Sequence, residues 1–525
     1  MAGQHKKNPG SEKLVQKGKQ GILRMIFGRT MLIMLLLLIN FGVAFYFLFD
    51  LVQGLPILFG SVQAFMLAML IHVISTPDDP TLKLSWAFVI AAVPLLGSVL
   101  YFFFRFDLGY RLTRRLLDKS IRASEPSLPD REPLMAQIRQ EDRALYNLAH
   151  YLHTHGNYPI YPYTDVTYFP LGEDMFTEMI IQLEHAEKFI FLEFFLVSDG
   201  YMWGSILEVL QRKARQGVEV RFLYDGMNAF VNLPYNYPKQ LEKLGIRCKM
   251  FAPVRPFVST HYNNRDHRKI LVIDGCTAFT GGVNLEDRYI NLESPYGHWK
   301  DTGIMLKGDA VQSFTLMFLQ MWNHNEREQI FDPYLLPEAA RMSDGYVIPY
   351  GDSPMDDERV GETVYLDMIN RAEDYLYIMT PYLIPDNNIL SALKYAAKRG
   401  VDVQLILPGI PDKKAVYALT RSHYRELLEA GVKIYEYTPG FVHAKVALSD
   451  DLHAVVGTIN LDYRSLYHHF ECAAYLYRVP ALKDIREDFQ STLAQCRRIL
   501  PEHLRSFPLW SRIFAYIAKF AAPLV

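Results

Sequence analysis

Two short words in this chain carry the residue types needed for phosphorus chemistry. They are His267-Arg-Lys269 with Asp274 five positions past the lysine, and His443-Ala-Lys445 with Asp450 in the same place. One imidazole can attack a phosphorus atom while a second protonates the departing oxygen. The register continues beyond the aspartates: Gly281 and Gly457 lie fourteen residues after their histidines, Asn284 and Asn460 seventeen, and Arg288 and Arg464 twenty-one. A lone His-x-Lys-x4-Asp is weak evidence, but two copies in register mark a duplicated site.

A phosphodiester is an anion, so a neutral imidazole attacking it needs cations to hold its oxygens and stabilise the charge that builds on them. Lys269 and Lys445 fit that role, with Asn284 and Asn460 as amide donors that bind substrate. Asp274 and Asp450 are catalytic candidates, to orient an imidazole, to balance a lysine or to pair across the site. Glu193 and Glu471 interrupt apolar runs, and because a buried glutamate needs a partner they are read as lining the substrate site. Gly281 and Gly457 serve turn geometry. His72, His185 and His298 stand outside any such pattern and are read as solvated or hydrogen-bonded. Neither a metal nor any other cofactor is required.

The elements around these words repeat as well. Ala186-Glu-Lys-Phe-Ile-Phe-Leu-Glu193 reads as a buried strand, followed by a helix ending at Gly217 and the strand Val218 to Asp225. The second copy runs Ala372-Glu-Asp-Tyr-Leu-Tyr-Ile-Met, a helix ending at Gly400, and Val401 to Leu407. Each copy then offers another helix end and strand, Leu241 to Met250 and Leu427 to Tyr437. Strands alternating with helices imply an α/β fold with mainly parallel sheets. Each lysine leads into an apolar run, Ile270 to Ile273 or Val446 to Leu448. Period-two alternation then projects the His and Lys together, and a site built from both lobes would lie at their interface.

The chain has 525 residues and a net charge of -2, which argues against a basic nucleic-acid binder. Its four cysteines form no C-x-x-C pair, so neither a disulfide framework nor a cysteine zinc site is suggested. Apolar residues concentrate near the N-terminus: no Asp, Glu, Lys or Arg occurs from Met31 to Phe49, Leu51 to Pro77 or Leu84 to Phe104. Each run is long enough to span a bilayer as a helix. Three successive runs do not fit a signal peptide. Basic residues flank the set on both sides, which three spans cannot place together in the cytoplasm. One run is therefore re-entrant or interfacial, with Pro56 and Gly60 pointing to the second, or one basic flank lies outside. We read the catalytic face as cytoplasmic.

These features divide the chain into a basic tail at 1–30, a membrane region at 31–104 with candidate spans 31–50, 55–76 and 84–104, and a basic linker at 105–135. Two lobes follow, 136–335 and 336–500, and then an amphipathic segment at 501–525. In that last segment Trp510, Phe514, Tyr516 and Phe520 stand beside Arg512 and Lys519. It would lie on the bilayer or pack on the protein.

The two words, their Gly-x-x-Asn tails and the duplication resemble the phospholipase D superfamily, and within it the bacterial cardiolipin synthases. The closer resemblance runs from about residue 83 to the C-terminus. It rests on Lys83-Leu-Ser-Trp86 to Leu96-Gly-Ser-Val-Leu-Tyr101, Asn264-Arg-Asp-His267-Arg-Lys269, Thr380-Pro-Tyr-Leu-Ile-Pro385, Ala430-Gly-Val-Lys-Ile-Tyr435, Asn460-Leu-Asp-Tyr-Arg464-Ser465 and Pro508-Leu-Trp510. Departures from the pattern are Gly282 and Thr458, where serine is common, and His469, where asparagine often precedes the glutamate.

The resemblance implies two phospholipase D-like lobes with the active site between them and a multi-pass membrane enzyme. It also implies transfer of a phosphatidyl group between two phosphatidylglycerol molecules, giving cardiolipin and glycerol. His267 would be the nucleophile, forming a phosphatidyl-imidazole, and His443 the acid and base. The alternatives are a membrane-bound phospholipase D hydrolase, a transferase using another alcohol, a nuclease, or an inactive scaffold on the same fold. Three apolar runs and the near-neutral charge speak against the nuclease, and the two complete words against the scaffold.

Overall fold

The computed structural model describes residues 56–506 apart from 78, 106–107, 130, 254–263 and 336–342, together with 518, 519 and 522. The basic tail, the first candidate span and most of the C-terminal amphipathic segment lie outside the described residues.

The N-terminal part is a packed trio of helices, Pro56–Ser75, Pro80–Ala92 and Pro94–Arg105. The expected span at 84–104 is corrected: it is broken at Val93–Pro94. Proline has no N–H and its ring collides with the carbonyl four residues back. The resulting helices of 13 and 12 residues reach about 20 Å each, against about 30 Å of bilayer hydrocarbon. Gly97 lets the two halves cross closely, since a β-carbon there would collide with the backbone of Val89 and Ile90. Among the described residues, no helix is long and apolar enough to cross a membrane. The stretch expected as a basic linker is helical over Leu108–Ser124.

Two lobes follow, and their sheets have the same strand order. The first contains β1 (Thr164–Phe169), β2 (Phe189–Phe194), β3 (Glu219–Asp225), β4 (Arg247–Phe251), β5 (Arg265–Asp266), β6 (Lys269–Ile273), β7 (Thr277–Gly281), β8 (His298–Lys300) and β9 (Gly303–Gly308). The second contains β10 (Tyr346–Asp352), β11 (Tyr375–Met379), β12 (Leu383–Ile384), β13 (Asp402–Pro408), β14 (Lys433–Tyr437), β15 (Gly440–Val442), β16 (Val446–Ser449), β17 (His453–Gly457), β18 (Leu461–Asp462), β19 (His469–Tyr477) and β20 (Cys496–Ile499). The first sheet runs β1-β9-β7-β6-β2-β3-β4 and the second β10-β19-β17-β16-β11-β13-β14-β20. Position by position these are one fold used twice, with β20 added at the edge.

The expectation of mainly parallel sheets is corrected. Strands β2, β3 and β4 are parallel, as are β11, β13 and β14. The other neighbouring pairs of both sheets are antiparallel, because hairpins such as β6–β7 and β16–β17 build the rest. The uniformly buried Phe-Ile-Phe-Leu-Glu-Phe of β2 is the continuous apolar run that a sheet covered on both faces requires. Helices Gly172–Glu184 and Tyr201–Arg215 cover the outer face of the first sheet through Met179, Trp203 and Ile206. Helices Val360–Arg371 and Asn387–Lys398 do the same for the second through Val364, Met368 and Leu393. Between the sheets lies one shared core, in which Phe191, Val272 and Leu306 meet Val446, Val456 and Leu476 around Phe314 and Phe318 of helix Val311–Asn323.

Two short strands cross between the lobes. Strand β5, just before His267, pairs with the start of β19 in the second lobe. Strand β15, just before His443, pairs with β8 in the first. Each catalytic word is therefore held by the opposite lobe.

Candidate active site

His267 follows β5, and its backbone N–H donates to the carbonyl of Phe470 at 2.9 Å. His443 follows β15, and its N–H donates to the carbonyl of Lys300 at 2.7 Å. These anchors place each ring beside a carboxylate from the other lobe. Glu471, in β19, has both oxygens 2.9 Å from His267 Nδ1. Asp301, just past β8, has Oδ2 2.6 Å from His443 Nδ1. A carboxylate on Nδ1 fixes the tautomer with the proton there, leaving Nε2 with the free lone pair. Both imidazoles are only 7% exposed.

Burial is the largest influence on both rings, and with the neighbouring lysines it outweighs the carboxylates, holding each imidazole down at about 3. Both are neutral at ordinary pH and able to attack. Burial pushes Glu471 upward, but the contact with His267 wins and its carboxyl sits well below the usual range. Asp301 behaves alike, with His443 and Lys445 overcoming burial. Lys269 Nζ donates to the carbonyl of His267 at 2.6 Å. Lys445 Nζ donates to the carbonyl of His443 and lies 2.9 Å from its Nδ1. Burial lowers Lys269 to about 8 and Lys445 to about 7, the latter also under repulsion from Lys269.

The departures from serine now have a physical reason. A β-carbon on Gly282 would overlap Asp301 Oδ1, so that position is bare to admit the carboxylate. In the other half Thr458 donates its hydroxyl to Glu471 Oε2. One half makes room for its carboxylate; the other bonds to it.

The motif aspartates lie elsewhere than expected. Asp274 accepts the backbone N–H groups of Glu187, Lys188 and Phe189 at 2.7, 2.7 and 2.8 Å. Asp450 accepts those of Glu373, Asp374 and Tyr375 at 2.9, 3.0 and 2.8 Å. Both sit in hairpin turns with φ of 53° and 55°, a left-handed conformation that aspartate tolerates. They tie the turn after the catalytic strand to the start of β2 or β11, and no imidazole contact is left to them.

Glu193 also serves otherwise: it is fully buried and ion-paired with Arg268 at 2.6 Å. The expectation that it binds substrate gives way to this pair, because the arginine between His267 and Lys269 points into the fold and needs a counter-charge. Asn284 accepts the N–H of Leu196 at 3.0 Å and donates to the Tyr289 hydroxyl at 2.8 Å, so it supports the wall instead of offering a free amide. In Asn460 the buried atom without a hydrogen-bond partner is Oδ1, an acceptor and not the amide donor that a phosphate oxygen calls for.

Around His443 the wall is aromatic: Trp299 at 5.2 Å, Tyr289 at 5.3 Å and Phe441 at 6.1 Å between ring centroids. Around His267 it is Phe195 at 5.0 Å and His469 at 5.3 Å. Among the described residues, His267, His469 and Glu471 have donor atoms within 4.8 Å of one another. The electrostatic influence of Lys269 on this group favours an anion there over a metal cation.

Asp301 escaped the sequence reading, although register shows it to be the counterpart of Glu471. Gly281 pairs with Gly303 and Gly457 with Ala473, and each carboxylate lies two residues before that partner.

Comparison with known proteins gives the same picture. A family model described as the cardiolipin synthase, PLD-like domain matches residues 179–322 and 365–493. The chain belongs to this family. A phospholipase D-nuclease N-terminal model matches residues 64–105. A cardiolipin synthase of Halalkalibacterium halodurans is 36% identical over 85% of this chain and 89% of its own length. A Streptococcus mutans protein described as uncharacterized is 50% identical over 88% of this chain and 100% of its own. The crystal structure of phosphatidylserine synthase from Haemophilus influenzae covers 73% of this chain and 99% of its own, with a TM-score of 0.56 at 16% identity. That likeness is one of fold.

Proposed function

We propose that this chain is a cardiolipin synthase that joins two phosphatidylglycerol molecules with release of glycerol. The observation that carries the reading is the crossed pairing of Glu471 with His267 and Asp301 with His443, flanked by two buried lysines. Such a site holds two imidazoles in defined tautomers around an anion.

His267 Nε2 attacks phosphorus and the bond to the headgroup glycerol breaks, its oxygen taking a proton from His443. An imidazolium is needed at His443 for that step. The bound phosphate anion and Asp301 both favour it, against burial and Lys445. A headgroup hydroxyl of a second phosphatidylglycerol then gives its proton to His443 and attacks phosphorus, breaking the bond to His267. Lys269 and Lys445 neutralise the phosphoryl oxygens in both displacements. His267 as nucleophile follows the family pattern.

The N-terminal helices suit a bilayer. Phe65, Leu67, Ile71, Ile74, Leu84, Phe88 and Val99 are exposed, an outward apolar face that water would not stabilise. The first turn of helix Pro80–Ala92 reaches the second lobe at Tyr463, which lies in hydrogen-bonding range of Thr81 and three residues past Asn460. The site would thus sit beside the membrane, and from the basic flanks we read its catalytic face as cytoplasmic.

Purified protein supplied with vesicles of phosphatidylglycerol alone should yield cardiolipin and glycerol in equal amounts. Phosphatidic acid without cardiolipin would sink the reading in favour of a hydrolase. With acyl-labelled lipid, His443→Ala should retain a trapped adduct and His267→Ala none. An adduct persisting in His267→Ala would reverse the two roles.

A further inference from the structure

His469 is a third histidine in the catalytic wall, and nothing in the mechanism above uses it. Its ring is tilted 37° against His267 with centroids 5.3 Å apart, is 8% exposed, and has no hydrogen-bond partner on either nitrogen. Glu471 Oε1 is 3.7 Å from its Nδ1, beyond hydrogen-bond length, and that carboxylate already accepts from His267 and Thr458. A buried imidazole with two unpaired nitrogens is costly, and natural structures keep such a group where a ligand, an ordered water or a catalytic role accounts for it. Beside the attacking ring, a ligand is the fitting one.

The pseudo-symmetry says what kind of position this is. The strand register that matches Asp301 with Glu471 also matches Trp299 with His469. Trp299 packs on His443 at 5.2 Å and 36°, nearly the arrangement of His469 on His267. Its indole N–H is likewise buried without a partner. Each catalytic ring therefore has one companion ring carrying an unspent N–H. In-line displacement puts the attacking nitrogen and the leaving oxygen at the two ends of an axis through phosphorus, with the remaining oxygens around its middle. A ring lying beside the attacking imidazole faces those equatorial oxygens, not the leaving group at the far end.

We propose that His469 is a phosphate-binding residue: its ring N–H donates to a non-bridging oxygen of the phosphatidyl phosphodiester, beside Lys269 and Lys445. This deepens the reading of the site given above and rests on it for the identity of the lipid. A neutral imidazole has one N–H in either tautomer, so the donor is present whichever nitrogen faces the cavity. Where a chain carries asparagine instead, a shorter amide offers a donor of the same kind.

The test uses the full-length enzyme, with His469→Phe keeping the ring and removing the donor, and His469→Asn restoring one. Orthovanadate, which adopts the trigonal-bipyramidal geometry of the displacement, is titrated as an anion probe that needs no lipid. His469→Phe should weaken vanadate binding at least tenfold and lower kcat about 10²-fold, the loss typical of one oxyanion donor. Transfer to phosphatidylglycerol and to water should fall alike, and His469→Asn should recover most of both. If the Phe variant does not fold, His469→Met is read in its place. Unchanged vanadate affinity in a folded donor-free variant would overturn the proposal. So would a change confined to KM or to acceptor preference, which would place His469 on the headgroup. Should the wild type make no cardiolipin while the vanadate effect holds, the phosphate site stands and the synthase reading fails.

Discussion

Glu471 belongs to the second lobe, yet both its carboxylate oxygens lie 2.9 Å from Nδ1 of His267 in the first. The converse pair, Asp301 and His443 at 2.6 Å, reverses the lobes. Each half-site is thus incomplete without the other, and the short strands β5 and β15 that cross the interface align the pairs. Replacing Glu471 by Gln keeps the shape but lets Nδ1 lose its proton, so the lone pair can move away from Nε2. We expect kcat to fall about 10²- to 10⁴-fold, by the logic of an orienting carboxylate in a triad, with KM for phosphatidylglycerol little changed. A KM effect with kcat intact would show that Glu471 binds substrate, as the sequence first suggested.

Gly282 and Thr458 occupy matching places with opposite duties. Gly282→Ser, a change toward the residue common in the superfamily, should inactivate, because its side chain would enter the space held by Asp301 Oδ1. Thr458→Val removes the hydroxyl bond to Glu471 and the acceptor of the Cys472 N–H without filling the carboxylate's space. It should cost kcat about tenfold, the equivalent of roughly 1.4 kcal/mol. Steady-state kinetics on both variants separates them. Equal effects would mean that the two halves do not differ in this way.

Asp274 and Asp450 should behave as structural residues. Each carboxylate accepts three consecutive backbone N–H groups. Asp274→Ala would strand those donors at about 1–3 kcal/mol of stability. Denaturation should register the loss while kcat per folded molecule stays near that of the wild type. A large kcat defect in an undiminished fold would restore them to the catalytic set.

The duplicated lobes were legible because strand periodicity, Gly-ended helices and the paired words recur at matching intervals. Both histidines and both lysines were legible for the same reason. Asp301 was not. It follows Gly281 by twenty residues while Glu471 follows Gly457 by fourteen, and only strand register reveals the equivalence. The motif aspartates misled because spacing alone cannot tell a carboxylate aimed at an imidazole from one that closes a turn. Glu193 misled because its partner, Arg268, lies inside the catalytic word itself. At the N-terminus the hydropathy of 84–104 concealed Pro94, whose backbone effect outweighs the apolar run around it.

The pH dependence follows from the four buried groups. With His267 and His443 both held near 3, the free enzyme has no imidazole titration around pH 6.5. Because His443 must carry a proton to act as acid, kcat/KM should fall about tenfold per pH unit from pH 5 to pH 7 as that protonated fraction shrinks. The basic side is steeper. Lys445 loses its proton near 7 and Lys269 near 8, and each loss removes a cation that holds the phosphate. Because a lysine is active when protonated, kcat/KM must decline further as pH rises through these values, in two overlapping steps that belong to the coupled pair. Bound substrate adds a phosphate anion, which favours the charged ammonium groups. The same decline in kcat should therefore begin at higher pH than in kcat/KM, since one reports the complex and the other the free enzyme. Rate profiles from pH 5 to 10 on vesicles of constant surface charge would check this. A kcat/KM that climbs from pH 6 to 8 would show that a histidine with an ordinary pKa governs the free enzyme.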